Sequence, residues 1–73
     1  MAKFFVHNRT SKRQVVAIEP WADVETLEPN EKIWFDYDDA DDVCIALREN
    51  GSTEVDINSD RLTVTAKGVS RRL

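Results

Sequence analysis

Alternation of apolar and polar residues in four separate segments is the feature that most restricts the fold of this chain. The segments are KIWFDY, DVCIALR, STEVDIN and RLTVTAK, and in each of them every second residue is apolar. Successive side chains of a β-strand point to opposite faces, so this period of two predicts strands with one buried face. Almost nothing in the chain shows the longer period of an amphipathic helix. The pattern therefore predicts an all-β protein.

The alternation also predicts which side chains face the core. In the four segments these are Ile33, Phe35, Val43, Ile45, Leu47, Val55, Ile57, Leu62 and Val64. Two earlier segments, KFFVHN and QVVAIE, are apolar and β-branched enough for strands, but adjacent apolar pairs leave their buried face ambiguous. In those two segments we expect the buried side chains to be Phe4, Val6, Val16 and Ile18.

Turn signals divide the chain at regular intervals. Asn50-Gly51 lies between two alternating segments, and this dipeptide is the strongest short-range signal of a β-hairpin. Strand centres near residues 5, 16, 24, 35, 45, 55 and 64 give the spacing that is typical of sandwiches and barrels. With 73 residues the chain is expected to be a single domain, 1–73, with a thin core. We therefore predict a small antiparallel β-sandwich or open barrel of six or seven short strands.

The segment IEPWADVETLEPN is predicted to be a corner between two sheets. Pro20 has no N–H group for a ladder, so it must end a strand or lie on an edge. Pro29 followed by Asn30 is typical of a turn. Between the prolines only a short edge strand fits, and Asp23 and Glu25 would stop that edge from recruiting another chain.

The N-terminal part of the chain also resembles a group of small uncharacterised bacterial β-proteins. The similarity covers FVHNRTSKRQVVAIEPWADVETLEPNEKI, where an N-terminal hairpin precedes an E-P-W-G-like corner and an L-x-P-G-E-like turn. The chain departs from this pattern at Ala22 and Asn30, where glycine is expected. The resemblance implies a β-sandwich-like fold, and it implies no functional residue.

Composition excludes several classes of protein. Hydrophobic residues make up 41% and charged residues 33% of the chain, which is the range of globular proteins. No apolar run approaches the roughly 20 residues of a membrane span, and the first residues do not form a signal peptide. We therefore expect a cytoplasmic protein with no membrane association. Cys44 is the only cysteine, which excludes an intramolecular disulfide and a thiolate metal cluster.

Charge is segregated along the chain. Residues 19–60 contain all 14 acidic residues and only two basic ones, Lys32 and Arg48, which gives a net charge of −12. The two flanks, residues 1–18 and 61–73, together carry a charge of +8. The flanks could supply a basic face if the first and last strands lie together. The net charge of −4, and the absence of an aromatic platform among these bases, argue against nucleic-acid binding.

Catalysis is not expected. Glu19 with Glu28 or Asp23 could form a carboxylate pair, but so thin a domain leaves little room for a substrate cleft. Cys44 is expected to be a small buried residue and His7 a strand residue near the surface, so neither is a good candidate for a nucleophile or base. Two glycines cannot form a Gly-rich phosphate loop. We therefore expect no enzyme, no cofactor and no small-molecule substrate.

The densest charge of the chain lies in FDYDDADDV. A loop here could hold a calcium-like divalent cation through carboxylate oxygens, those of Asp36, Asp38, Asp39, Asp41 and Asp42. The EF-hand spacing fails, because its glycine position holds Asp41 and its final glutamate position holds Leu47. The other interpretation of the Asp36–Asp42 loop is an exposed charged loop that aids solubility. Divalent-cation binding is the alternative functional hypothesis.

Trp34 is the candidate partner-binding residue, together with Trp21. Trp34 alternates with Ile33, Phe35 and Tyr37, so it is predicted to point away from the core. Its ring could lie over a neighbouring strand or under the Trp21 corner, or it could anchor a partner, since tryptophan is enriched at interface hot spots. The first functional hypothesis is a non-catalytic protein-interaction or self-association module that binds a protein partner or forms a homo-oligomer.

Overall fold

The computed structural model describes residues 2–73, with every side chain in that range except that of Asp41. All regular structure in these residues is β-strand. The eight strands are β1 (Ala2–His7), β2 (Gln14–Glu19), β3 (Asp23–Leu27), β4 (Lys32–Tyr37), β5 (Ala40–Leu47), β6 (Thr53–Ser59), β7 (Leu62–Ala66) and β8 (Val69–Arg72).

The strands form two sheets of four. Sheet 1 has the order β1-β4-β7-β8, and sheet 2 has the order β3-β2-β6-β5. The predicted all-β sandwich is confirmed, with eight strands instead of six or seven and with two separate sheets instead of an open barrel. Neighbouring strands are antiparallel except β2 and β6, which are parallel and register Ile18 with Val55. Alternation marks the buried face of a strand but not its direction, so the sequence pattern does not indicate this parallel pair.

The side chains between the sheets form one apolar cluster. Phe35 is fully buried and stacks on Phe4, with ring centroids 5.1 Å apart. Val16 and Ile18 are buried, and Phe4 and Val6 are half-buried against the cluster, as predicted. Most of the set predicted from alternation is also fully buried, namely Ile33, Phe35, Val55, Ile57, Leu62 and Val64.

Strand β5 is where the predicted core is wrong. Val43, Ile45 and Leu47 register with core-facing residues of β6, so they do lie on the core face of sheet 2. Their exposed fractions are nevertheless 38%, 55% and 86%. The hydrogen bonds that link the sheets through Arg71 and Asn8 reach β3, at the opposite edge of sheet 2. Sheet 1 is therefore anchored over β3 and leaves the far end of β5 uncovered.

The predicted corner is present. β2 ends directly before Pro20, and after β3 the backbone N–H of Glu31 donates to the carbonyl of Glu28 at 3.1 Å. Asn30 has a φ of 71° at the third position of this turn, as a type II turn requires. Ala22 has a φ of 55°. Both positions at which the resemblance predicts glycine therefore adopt the left-handed conformation that glycine favours.

The sequence pattern does not mark the eighth strand. β7 and β8 are joined by a two-residue turn, Lys67-Gly68, with φ angles of 55° and 75°. Positive φ at both residues is the type I′ arrangement, for which asparagine or aspartate before glycine is the usual signal. The only apolar residue of β8 is Val69, which is 64% exposed, so β8 has no alternation.

Asn8 is a buried polar residue that holds the end of β1. Its side-chain Nδ2 donates to the carbonyls of Lys12 and Leu27, at 2.8 and 2.9 Å. Its Oδ1 accepts from the backbone N and the Oγ1 of Thr10, at 2.9 and 2.7 Å. Its backbone N–H donates to the carbonyl of Glu31 at 2.9 Å. One side chain thereby connects the β1–β2 loop to the end of β3.

The predicted hairpin at Asn50-Gly51 joins β5 to β6. The N–H of Gly51 donates to the carbonyl of Arg48 at 3.0 Å, and Gly51 has a φ of 88°. The Oδ1 of Asn50 accepts from the backbone N of Ser52 at 3.0 Å and from its Oγ at 2.7 Å. This is a turn followed by one left-handed residue, so glycine supplies the backbone conformation and asparagine supplies a side-chain acceptor.

Replacing Gly51 by valine is expected to lower the free energy of unfolding by about 1 kcal/mol or more. A Cβ atom at Gly51 would meet nothing within 4 Å, so the cost comes from the positive φ and not from crowding. Urea denaturation of the two proteins measures the difference. Gly51→Asn is the control and should lose less, because asparagine tolerates this conformation. An unchanged free energy of unfolding for Gly51→Val would contradict the turn assignment.

Candidate interaction surfaces

Arginine side chains engage the carboxylates that could have formed a catalytic pair. Glu28 accepts from Arg13 at 2.8 Å, and Glu19 lies 3.8 Å from Arg48. Asp23 accepts from Arg71 across the sandwich. Each carboxylate thus lies beside a different arginine, although Arg48 is closer to Glu54, at 2.8 Å, and Arg71 also pairs with Glu25.

Arg71 of β8 closes one side of the sandwich. Its guanidinium donates to Asp23 and, at 2.8 Å, to Glu25 on β3 of the other sheet. The hydrogen bond to Asp23 raises the pKa of Arg71, burial opposes this, and Glu25 adds to the rise. Because the pKa of Arg71 is raised in the folded protein, the charged form of Arg71 stabilises the fold. This stabilisation is complete below the ordinary arginine pKa, so it is present at neutral pH. Asp23 and Glu25 were predicted to be exposed edge charges, but they are half-buried and hold the two sheets together.

Trp21 follows the corner at Pro20 and packs against the core cluster. The side chain is half-buried, and its ring nitrogen is buried without a hydrogen-bond partner among the described groups. Of the two tryptophans predicted to bind a partner, Trp21 therefore has an evident packing role. Its partner-binding role stays a prediction.

Trp34 lies on the outer face of sheet 1, away from the core, as predicted. Its ring packs on Phe5, with centroids 4.7 Å apart and planes inclined by 50°. The Lys3 ammonium lies 4.9 Å from the Trp34 ring centroid, and the Lys32 ammonium lies 4.8 Å from that of Phe5. We call this cluster of Lys3, Phe5, Lys32 and Trp34 the aromatic–basic face. No aromatic platform was expected among the basic residues of the two flanks, whereas pairing of β1 with β4 places Phe5 and Trp34 beside Lys3 and Lys32.

The acidic segment is not the loop that the sequence suggested. Asp36 lies in β4 and Asp42 in β5, so only Asp38 and Asp39 connect the two strands. Asp38 pairs with Arg61 at 3.1 Å. Asp41 is the one predicted ligand whose side chain lies outside the described residues. Among the described side chains, no three acidic, histidine or cysteine groups are placed to hold a metal ion. The divalent-cation hypothesis thus has no support from the described geometry.

His7 and Cys44 lie far apart in the topology. His7 is on β1, where its Nδ1 accepts a hydrogen bond from Arg9 at 3.3 Å. Cys44 is on β5 in the other sheet, so the two cannot act as a nucleophile and its base. Cys44 was predicted to be buried, and it is exposed. It points away from the core face, next to Asp56 of β6.

The exposed part of β5 is the second candidate surface, which we call the open strip and define as Val43, Ile45 and Leu47. β5 is an edge strand, so the backbone groups on its outer side are unpaired within sheet 2. Exposure rises along the strand toward Leu47, in the direction away from the β4–β5 connection. An apolar row and a free strand edge therefore occur at the same place. Alternation places these residues correctly on one face of β5, but it does not indicate that this face is open.

Comparison with protein-family models, with curated proteins and with solved structures found no match to this chain. In residues 2–73 no helix has the length and apolarity to cross a membrane. The resemblance to small bacterial β-proteins stays a prediction.

Proposed function

We propose that the protein is a non-catalytic self-association module, in which β5 pairs with β5 of a second copy. The observation that supports this most is the open strip, where core-facing residues of an edge strand are left exposed. Large exposed apolar rows on small soluble domains mark surfaces that another molecule covers. A second copy is one such molecule, and it needs no further component.

The four edge strands differ in their protection against pairing. β3 carries Asp23 and Glu25, β8 has four residues of which two are arginine, and β1 has Lys3. Charges and short length are the usual means by which edges avoid other strands. β5 is eight residues long, and its register with β6 is irregular between Ala40 and Val43. Its first part carries Asp41 and Asp42, whereas its last five residues, Val43–Leu47, are the longest uncharged stretch on an edge of the described sandwich.

The sequence of β5 is complementary to itself in one antiparallel register. If Ile45 lies opposite Ile45 of the second copy, Val43 lies opposite Leu47, and Cys44 lies opposite Ala46. The same register places Asp42 opposite Arg48, the residue that follows β5. Apolar side chains and opposite charges that face each other across strands each favour pairing. The register thus offers both kinds of contact twice, once on each side of the two-fold axis.

This pairing would join the two copies of sheet 2 into one continuous sheet. The two-fold axis is perpendicular to the sheet, so both open strips lie on the same face and contact each other. The two copies of sheet 1 flank them. The interface is small, so the dimer belongs to the weak class and is expected to form with a dissociation constant between about 1 μM and 1 mM.

Sedimentation equilibrium over that concentration range tests the proposal. Wild type should dimerise, and Ile45→Lys should weaken the dimer more than about tenfold, because the new ammonium groups would face each other at the two-fold axis. Ile45 is 55% exposed, so the monomer should stay folded. Val24→Lys is the matched control, since Val24 is 59% exposed on β3, the opposite edge of sheet 2.

A wild-type protein that stays monomeric throughout the range would refute the proposal. Trp34→Ala gives a further comparison, because Trp34 is the other predicted anchor. If the dimer dissociates in Trp34→Ala but survives in Ile45→Lys, the copies associate through the aromatic–basic face, and the assignment to β5 is wrong.

A further inference from the structure

We propose that the aromatic–basic face of sheet 1 binds single-stranded nucleic acid, with bases on Phe5 and Trp34 and phosphates on the flanking cations. This surface is distinct from the open strip. It lies on the outside of the other sheet, so it could bind with or without self-association.

Strand register arranges the outer face of sheet 1 in rows. The central row is Phe5, Trp34, Thr65 and Ser70, from β1 to β8. Its aromatic half has Phe5 45% exposed, and its other half is joined by a 2.7 Å hydrogen bond between the hydroxyls of Thr65 and Ser70. The row on one side contains Lys3, Asp36, Thr63 and Arg72. The row on the other side contains His7 and Lys32. Aromatic rings are thus bordered by cations on both sides.

Charge on sheet 1 is opposite to that of the whole chain. Within residues 2–73, Asp36 is the one acidic residue on its four strands, whereas Lys3, Lys32, Arg71 and Arg72 are basic. Arg71 turns inward to β3, which leaves Lys3, Lys32 and Arg72 on the outer face against Asp36. Arg72 lies at the end of this face, beside Asp38, Asp39 and Asp60 of the adjoining loops. The net charge of −4 therefore does not describe this surface. Lysines beside aromatic rings, here the exposed Phe5 and the half-buried Trp34, are a combination that binds single strands.

The lysines that lie over the rings suggest how a strand would bind. A base can stack on an aromatic face because every base has a π-surface, and the lysine ammonium that it displaces can then move to the adjacent phosphate. Base pairs in a duplex are stacked on each other and cannot present their faces to Phe5 and Trp34. The geometry therefore favours single strands over duplexes.

Anisotropy of a dye-labelled oligothymidylate of about 12 nucleotides measures the binding at low salt. Phe5→Ala and Trp34→Ala should each weaken it about tenfold, because stacking is lost. Lys3→Gln and Lys32→Gln should each reduce the slope of log affinity against log salt by about 0.7. Lys12→Gln removes the same charge in the β1–β2 loop, off the described face, and should leave the slope unchanged. Circular dichroism of each variant confirms that it is folded.

Three results would overturn the inference. One is no binding by wild type at low salt. Another is unchanged binding by both aromatic variants, with competition by dextran sulfate as strong as by the oligonucleotide, since this would show a site for any polyanion. The third is equal affinity for a duplex of the same length. Ile45→Lys should bind the oligonucleotide like wild type, so the outcome for this face is independent of the outcome for self-association.

Discussion

Replacing Asn8 by alanine is expected to lower the free energy of unfolding by about 3 kcal/mol. Asn8 is only 4% exposed, and its side chain has two donated and two accepted hydrogen bonds. Alanine would leave the carbonyl of Leu27 without its side-chain donor in a buried place. Leaving a buried polar group unsatisfied costs about 1–3 kcal/mol, and the contacts to Thr10 are lost as well.

This loss is large for a chain of 73 residues. Domains have about 0.05–0.15 kcal/mol of stability per residue, so the total here is roughly 4–11 kcal/mol. Urea denaturation of wild type and Asn8→Ala measures the change in unfolding free energy. The Asn8→Ala protein should also show faster amide hydrogen exchange in the β1–β2 loop, since Asn8 holds that loop.

Two further variants make the Asn8 prediction specific. Asn8→Asp keeps the acceptor for Thr10 but places an oxygen against the carbonyls of Lys12 and Leu27, so it should be at least as destabilising as alanine. Asn58→Ala is the control, because Asn58 is exposed on β6, and it should change stability by less than about 0.5 kcal/mol. A change of that small size for Asn8→Ala would show that the Asn8 hydrogen bonds do not stabilise the fold.

Local sequence signals predicted the parts of the fold that depend on local chemistry. Alternation gave the core face of β4, β6 and β7, and the turn residues gave the positions of the β3–β4 turn and the Asn50-Gly51 hairpin. Alanine gives no signal of a positive φ, so nothing in the side chain of Ala22 predicts its conformation. Only the resemblance, in which glycine is expected at this position, indicated it.

The errors at β5 have a physical cause. A period of two identifies a face of a strand, but whether another sheet covers that face depends on how the sheets are placed. Here the contacts of Arg71 and Asn8 link sheet 1 to β3, and both involve residues far apart in sequence. The same limit explains why Cys44 was wrongly predicted to be buried, since the sequence does not show that this side of β5 is exposed.

The aromatic–basic face was missed for a related reason. Lys3 and Phe5 are near the start of the chain, and Lys32 and Trp34 come almost thirty residues later, within the acidic part. Charge counted along the sequence therefore separated residues that β1–β4 pairing brings together. The signal that could have revealed them is the shared pattern of lysine and an aromatic residue two positions apart, Lys3–Phe5 and Lys32–Trp34. Antiparallel pairing that sets Phe5 opposite Trp34 places one lysine on each side of the two rings.

Replacing Ala46 by cysteine is expected to convert the dimer into a covalent one under mild oxidation with oxidised glutathione. In the Ile45-centred register, Cys44 lies directly opposite position 46 of the second copy, with Cα atoms about 4.5–5.5 Å apart, which suits a disulfide. Two such bonds form for each dimer. Wild-type Cys44 should cross-link poorly, because the two copies of Cys44 are diagonal neighbours, about 7–8 Å apart.

Cross-linking of Ala46→Cys is the most direct test of the claim that β5 pairs with itself. Asn58→Cys has the same number of cysteines and an exposed position on β6, so it measures random collision. Non-reducing electrophoresis should show mostly covalent dimer for Ala46→Cys, and mostly monomer for wild type and Asn58→Cys. If Ala46→Cys cross-links no faster than Asn58→Cys, or if wild type cross-links as fast as Ala46→Cys, the proposed pairing of β5 is contradicted.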